Sequence, residues 1–234
     1  MPRLTHLTIA IILGVVLLTL SYPRLMSSYT YIPVQIALTK HWKGDSIKIQ
    51  QFPFLIEITE KAIEYQGDVR YWIGLGWLQY LNARQLGFSK QEGQQLLHSS
   101  QKSFEKAVSK SPASPEVWLR LAWIHSLLKH DNAEVVNTLK MSIYTGRAER
   151  YLIKNRLELA LEYADYFEKE DKSLLSDQIQ LAWRFYKRDM LKFIKDGTYN
   201  INTINELLIN NPELKQKIQR NPHVGAPLGA IPPA

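Results

Sequence analysis

One seven-residue pattern occurs twice in the sequence and constrains the fold more than any other feature. Residues 72–78 read WIGLGWL and residues 118–124 read WLRLAWI, so that Trp, Leu, a small residue, Trp and an aliphatic residue recur 46 positions later. On a helix, the first Trp, the Leu and the small residue share one face, and the small residue lets a second helix approach closely. A pattern repeated at this spacing is typical of stacked helical units.

The residues between the two copies indicate a second helix and its end. They follow one another at spacings of four, three and five: Ser100, Phe104, Ala107 and Pro112. The chain here resembles the tetratricopeptide repeat, whose pattern places Trp, Leu and Gly on a first helix, then Ala, Phe and Ala on a second, and Pro at its end. Ser100 replaces the first Ala of that pattern, and Gln79 and His125 stand where the family usually has Tyr.

The spacing of 46 residues exceeds the 34-residue period of that family by 12. The excess predicts an insertion between the two helices of the first repeat, in the region of residues 87–93, GFSKQEG. The second copy falls in register after Pro112 without any adjustment.

The flanking segments predict further helices. Phe54, Ile58 and Ala62 at a spacing of four indicate a helix that covers the first complete repeat, and Asp68 and Ser114 are expected N-caps. Downstream we expect helices over residues 133–143, 152–167 and 176–193, a capping box at 203–206, and a last helix that begins at 211–213.

The predicted fold class is all-α, with an N-terminal transmembrane helix followed by a tetratricopeptide-like helical repeat array over residues 53–220. Residues 4–20 contain no Asp, Glu, Lys or Arg, and residues 4–23 reach the ~20 positions that a membrane span needs. A cleaved secretory signal is the alternative, although the small-residue cleavage site around Ser21 is poorly formed. We expect residues 1–3 in the cytoplasm and the helical domain outside it, in a bacterial periplasm.

Two segments lie outside these helices. Residues 24–52 are predicted to be a juxtamembrane linker, which either lies on the membrane surface through Tyr29, Tyr31 and Trp42 or forms a partly helical tether. Residues 221–234, NPHVGAPLGAIPPA, contain four Pro and two Gly and cannot extend a helix. We expect a disordered tail there, with a docked peptide segment as the alternative.

The sequence offers little for catalysis. The absence of Cys excludes disulfides, thiolate metal sites and cysteine nucleophiles. No phosphate-binding glycine loop or GxSxG motif occurs, and the six His form no HExxH pair. His125 and His130 are five residues apart, which on a helix places them on different faces. We therefore expect no catalytic residue, no cofactor and no metal site.

The net charge of +7 does not indicate a nucleic-acid partner. Residues 1–110 contribute +5 of it and residues 111–234 contribute +2. The excess follows the half of the chain nearest the predicted anchor, where attraction to anionic lipid is the simpler explanation. The expected partner of this half is the lipid bilayer, through the N-terminal helix.

The resemblance also implies a partner-binding surface. Trp77 and Trp123 stand at the repeat position that faces the concave, peptide-binding groove of tetratricopeptide proteins; the alternative is that both pack between adjacent repeats. The same surface would include four further residues: Arg70, Tyr80, Leu119 and Arg120.

Taken whole, the layout resembles the small single-span, tetratricopeptide-like accessory proteins of bacterial exopolysaccharide and O-antigen machinery, in particular the VpsP-type polysaccharide-biosynthesis family. The resemblance implies a non-catalytic scaffold or assembly factor at the inner membrane, with the membrane proteins of a polysaccharide synthesis or export complex as partners. The alternative is a peptide-binding receptor or chaperone for secreted proteins.

Overall fold

A computed structural model describes residues 2–220, with side chains described at position 6 and from position 11 onward. Over residues 2–220 the chain forms ten α-helices and three short 3-10 helices, and it forms no β-strand there. The expected all-α class is confirmed. The predicted tail at 221–234 lies outside the described residues. The chain divides into two units, the first ending at Pro112 and the second beginning at Ala113.

The helices follow one another without long loops. Those of the first unit are α1 Pro2–Trp42, a 3-10 helix Ile49–Gln51, α2 Phe52–Tyr65, α3 Val69–Leu86 and α4 Gln91–Lys110. Those of the second unit are α5 Pro115–Leu127, α6 Asn132–Thr145, α7 Arg150–Glu162, the 3-10 helices Ala164–Tyr166 and Lys169–Asp171, α8 Lys172–Lys195, α9 Ile201–Leu207 and α10 Pro212–Gln219.

Helix α1 covers both the predicted anchor and most of the predicted linker. It continues past Pro23 and Pro33 to Trp42, and by length and composition it can span a membrane. Beyond the apolar segment, one face of α1 packs into the first unit. Val34 is fully buried, and the Ser27 hydroxyl donates a hydrogen bond to the Tyr71 hydroxyl of α3 at 2.9 Å. Residues 24–42 are therefore a helical tether packed on the first unit.

Helix α2 completes the core of the first unit beside α1 and α3. Its buried side chains follow helical spacing: Phe52, Leu55, Ile58, Thr59 and Ala62. Phe54 was expected on this face, but it is 57% exposed. The cause is the register of the helix, since Phe52 and Leu55 occupy the inward positions on either side of Phe54.

Helices α3 and α4 form a closely packed pair through the repeat residues. A Cβ atom added to Gly76 would lie 2.9 Å from the Phe104 ring, so the ring lies directly against the α3 backbone. The Ser100 hydroxyl donates to the Gly76 carbonyl at 2.8 Å, and the Ser103 hydroxyl donates to Gln79 Oε1 at the same distance. The small residue at position 76 therefore sets how close the two helices lie.

The helices of the α3–α4 pair are longer than those of the α5–α6 pair. Helices α3 and α4 contain 18 and 20 residues, whereas α5 and α6 contain 13 and 14. The connection between α3 and α4 is short because Gly87 adopts a φ of 97° and Gly93 packs against the Gly87 carbonyl. The prediction of an inserted segment between the helices is corrected accordingly: only the turn lies there.

The helix ends agree in part with the predicted caps. Asp68 accepts a hydrogen bond from the Arg70 backbone N–H at 2.9 Å, so this cap is confirmed. Ser114 stands at the N-cap position of α5, but its side chain makes no capping hydrogen bond, so the predicted cap is wrong there. The last helix begins where expected, and Asn211 caps it by accepting from the Leu214 N–H. The predicted capping box at 203–206 is wrong. Helix α9 begins earlier, at Ile201, because Asn200 caps it through the Asn202 N–H.

A buried arginine joins the helices of the second unit. Arg156 of α7 is fully buried. Its Nε donates a hydrogen bond to the Ser142 hydroxyl at 2.9 Å, and its Nη1 donates one to the Gly146 carbonyl at 2.7 Å. Its Nη2 donates a third hydrogen bond to the Ser142 carbonyl. The Ser142 hydroxyl donates in turn to the Pro115 carbonyl at 2.6 Å. Burial lowers the pKa of Arg156 to about 10, so the guanidinium is still charged at neutral pH. It caps the C-terminal end of α6.

Candidate functional site

The predicted groove residues of the first unit all lie on α3. Trp77 is half-buried against the core formed by α1, α2 and α3, and its ring contacts Tyr80 edge-on, with centroids 5.7 Å apart. Tyr80 stacks on Phe88 at 5.9 Å. Arg70, near the start of the helix, is exposed and pairs with Asp68 at 3.1 Å. Trp77 and Tyr80 therefore lie together, and both are partly buried against the core of this unit.

The predicted groove residues of the second unit lie on α5. Leu119 is fully buried in the apolar core of this unit, so its inclusion in an exposed surface is corrected: it faces the core formed with α6 and α7. Trp123 is half-buried and packs against the same core. Arg120 is partly exposed and donates to Glu116 one turn earlier at 3.1 Å.

A polar cluster that the sequence did not indicate lies between α5 and α6, and we call its three residues, His125, His130 and Glu134, the HHE cluster. His125 is in the last turn of α5, His130 follows the end of that helix, and Glu134 is in the first turn of α6. Lys129 adopts a φ of 56°, which reverses the chain so that the His130 N–H donates to the His125 carbonyl at 3.0 Å. The two imidazole rings stack with centroids 4.7 Å apart.

The Glu134 carboxylate faces both rings of the HHE cluster. One oxygen lies 2.8 Å from His130 Nδ1, and the other lies 3.7 Å from His125 Nε2. The three ligand atoms all lie within 4.8 Å of one another. His125 is 4% exposed, whereas Glu134 is exposed to solvent. The ligand atom of His125 is thus held in the protein interior, and those of His130 and Glu134 are accessible from the surface.

Thr138 orients the buried ring. Its hydroxyl donates to the Glu134 carbonyl at 2.7 Å and lies 3.2 Å from His125 Nδ1. A hydroxyl has one hydrogen, so toward His125 the Thr138 oxygen is the acceptor, and the hydrogen of the neutral ring is on Nδ1. The lone pair of His125 is then on Nε2, the atom that faces the carboxylate.

The charges of the HHE cluster favour an ionised carboxylate. The hydrogen bond from His130 holds the pKa of Glu134 below its ordinary value against the effect of burial, and the charge of the His125 ring acts in the same direction whenever that ring is protonated. Two imidazole nitrogens and one carboxylate form a donor set that binds first-row transition metals such as zinc. The residues of the cluster are therefore chemically suited to a divalent transition-metal ion.

The sequence prediction for these two histidines is corrected. It treated His125 and His130 as residues of one helix, where a separation of five directs them apart. Helix α5 ends at Leu127, and the turn through Lys129 brings the rings together. The sequence signal that could have found the cluster is the Asp131 cap, since a new helix starting there places Glu134 one turn after His130.

An open cavity lies beside the C-terminal part of α1. Its volume is about 820 Å³, and its lining combines apolar and basic side chains from α1 and α2: Ile36, Lys40, His41, Phe54 and Leu55. The exposed ring of Phe54 is part of this lining.

Comparison of the chain with protein-family models, with curated proteins and with solved structures found no match, so the residues described above carry the functional argument.

Proposed function

We propose that the chain is a single-pass membrane protein whose helical body acts as a non-catalytic scaffold for a membrane-bound assembly. The observation that carries this proposal is the continuity of α1. Its apolar side chains from Ile11 to Leu20 are exposed, whereas Val34 and Leu38 of the same helix are buried in the first unit. A helix with exposed apolar residues at one end and a packed face at the other is suited to holding a helical body at a bilayer.

The proposal includes a tetratricopeptide-like arrangement of two successive helix pairs, α3–α4 and α5–α6. In each pair, the same position of the first helix makes a polar contact with the second helix. Gln79 of α3 accepts from Ser103 of α4, and His125 of α5 contacts Thr138 of α6. Gln79 and His125 both stand where the tetratricopeptide family has Tyr, and each joins the two helices of its own pair. Repeated pairs of this kind build surfaces for protein partners.

Membrane attachment is tested by fractionation. We expect the full-length chain to sediment with membranes and to resist extraction with alkaline carbonate, because residues 4–23 would cross the bilayer. A variant without residues 1–23 is the control and is expected in the soluble fraction. A full-length product that loses its N-terminal segment and becomes soluble would contradict the anchor and support a cleaved signal.

The orientation of the proposed anchor in the membrane is tested with C-terminal reporter fusions expressed in the same cells. A C-terminal alkaline phosphatase fusion is expected to be active and a C-terminal cytoplasmic reporter inactive, since we propose that the helical body lies in the periplasm of a bacterial cell. The opposite pair of activities would place the body in the cytoplasm and remove the proposed inner-membrane, periplasmic location.

We propose polysaccharide synthesis or export as the assembly served, on the basis of the layout resemblance. In the bacterium that encodes the chain, deletion is expected to change the amount or the chain length of surface polysaccharide, measured by gel electrophoresis of extracted polymer. Complementation with the full-length chain is the control. Unchanged amount and length after deletion would contradict this assignment while leaving the membrane scaffold in place.

The role of the two tryptophans is measured in the complementation assay. Trp77→Ala and Trp123→Ala each remove a ring that is half-buried in its own unit. A variant that keeps the helical circular dichroism of the parent but does not complement would support a partner surface. A variant that loses its helical signal would support packing alone.

A further inference from the structure

We propose that the HHE cluster is a binding site for one divalent transition-metal ion, of which zinc fits the donors best. His125 Nε2, His130 Nδ1 and a Glu134 carboxylate oxygen would be the three protein ligands. The proposal goes beyond the scaffold function and does not depend on it, because all three residues belong to the second unit, whereas the proposed anchor belongs to the first.

The donor set selects the class of metal. Two imidazole nitrogens favour Zn²⁺, Co²⁺ or Ni²⁺ over Mg²⁺ and Ca²⁺, which prefer six or more oxygen ligands. Three protein ligands of this kind leave one tetrahedral position for water or for a group from another molecule. Because one ligand lies on α5, one on the turn and one on α6, a bound ion would join the two helices across their connection.

The arrangement around His125 supports this assignment. Its Nε2 lone pair faces the Glu134 carboxylate at 3.7 Å, and two electron-pair donors that face one another are favoured by a cation between them. Thr138 holds the Nδ1 side of the same ring. A hydrogen bond to the remaining nitrogen is the usual outer contact of a metal-binding histidine, because it fixes both the tautomer and the direction of the ring.

One movement is required for binding. The two imidazole rings are stacked and lie within 11° of parallel. A metal ion bound by an imidazole nitrogen lies close to the plane of that ring, so two stacked parallel rings cannot both bind one ion. His130 is half-buried and lies in the turn outside both helices, so its ring can rotate while His125 stays in place. For the ion to bind His130 Nδ1, the hydrogen that now bonds Glu134 at 2.8 Å must leave that nitrogen. A neutral ring would carry the hydrogen on Nε2 instead, and a protonated ring would release one proton to solvent.

The test measures Zn²⁺ binding to the full chain in detergent, purified without a polyhistidine tag. Equilibrium dialysis is expected to show one Zn²⁺ per chain. The dissociation constant should rise at least about tenfold in His130→Gln and in Glu134→Gln, since even outer-shell substitutions commonly have an effect of that size. Co²⁺ is expected to give the visible absorption of a tetrahedral complex in the parent and to lose it in both variants.

The controls separate a specific site from general effects. His98→Gln removes an exposed histidine of α4 in the first unit and should leave Zn²⁺ binding unchanged. Circular dichroism must show parental helicity for His130→Gln and Glu134→Gln, whose side chains are accessible, and these variants are therefore preferred to substitution of the buried His125. Stoichiometry well below one, retention of binding in both variants, or equal loss in His98→Gln would overturn the proposal.

Discussion

Replacement of Arg156 by methionine is expected to lower the free energy of unfolding of the second unit by about 3 kcal/mol. The guanidinium donates three hydrogen bonds, and a charge-assisted bond contributes ~1.5–3 kcal/mol, from which the desolvation of a buried charge must be subtracted. Methionine fills a similar volume but leaves the Ser142 and Gly146 carbonyls at the end of α6 without their donor. Urea unfolding followed by far-UV circular dichroism measures the loss.

Two further variants give this prediction its controls. Arg147→Met removes an exposed arginine that pairs with Asp177, and it should cost less than about 1 kcal/mol. Arg156→Lys keeps the positive charge but cannot reproduce the fork of donors, so its stability should lie between those of the parent and Arg156→Met. Equal stability of Arg156→Met and Arg147→Met would show that the Arg156 hydrogen bonds do not hold the second unit together.

A valine at position 76 is expected to destabilise the first unit by about 3 kcal/mol. The added Cβ would approach the Phe104 ring to 2.9 Å, and overpacking of this kind costs ~1–3 kcal/mol. Separation of α3 from α4 would also break the bond from the Ser100 hydroxyl to the Gly76 carbonyl, worth about 1 kcal/mol. The midpoint of urea unfolding and its slope give the change.

A double-mutant cycle with Phe104→Leu tests whether contact with the Phe104 ring causes the destabilisation by Gly76→Val. A smaller side chain at position 104 makes room for the valine, so the double variant should be more stable than the sum of the two single effects predicts. Gly67→Ala serves as the control, because its Cβ would meet no atom closer than 3.6 Å. Additive effects of Gly76→Val and Phe104→Leu would indicate that the Phe104 ring does not limit the residue at position 76.

Local patterns account for the helices that the sequence predicted well. Asp68 and Asn211 are short polar residues directly before a helix, Asn211 being followed by Pro and Glu in the first turn, and each caps the helix that was expected to begin there. The close approach at Gly76 also follows from a small residue among large ones. These features depend on neighbours along the chain or on a single facing helix, which is why the sequence alone could indicate them.

Features that depend on where a helix ends were not predictable in the same way. A proline at position 23 commonly ends a helix, yet α1 continues, and its far end packs on α2 and α3. The HHE cluster required knowing that α5 ends at Leu127 and that Lys129 adopts a left-handed conformation. Lys129 is neither glycine nor asparagine, so the residue that adopts the left-handed conformation did not mark the turn, and Asp131 after it was the available signal.

The exposure of the candidate groove residues could not be predicted from the sequence either. Exposure of a side chain depends on every element packed against it, and Leu119 is covered by the core of its own unit. A repeat register predicts which residues share a helix face, but it does not predict which face the rest of the chain covers. The same reasoning applies to Phe54, which has the spacing of a core residue and the exposure of a surface one.

The continuous α1 helix would give the proposed membrane anchor a mechanical property that a flexible linker would not provide. Residues 24–42 rise ~1.5 Å each, so this part of the helix, which includes Pro33, would reach about 28 Å from the end of the proposed bilayer segment. A tilt or a rotation of the anchor would then be passed directly to the first unit. Partners in the same bilayer would meet that unit at one height and in a restricted set of orientations, which raises its effective concentration toward them.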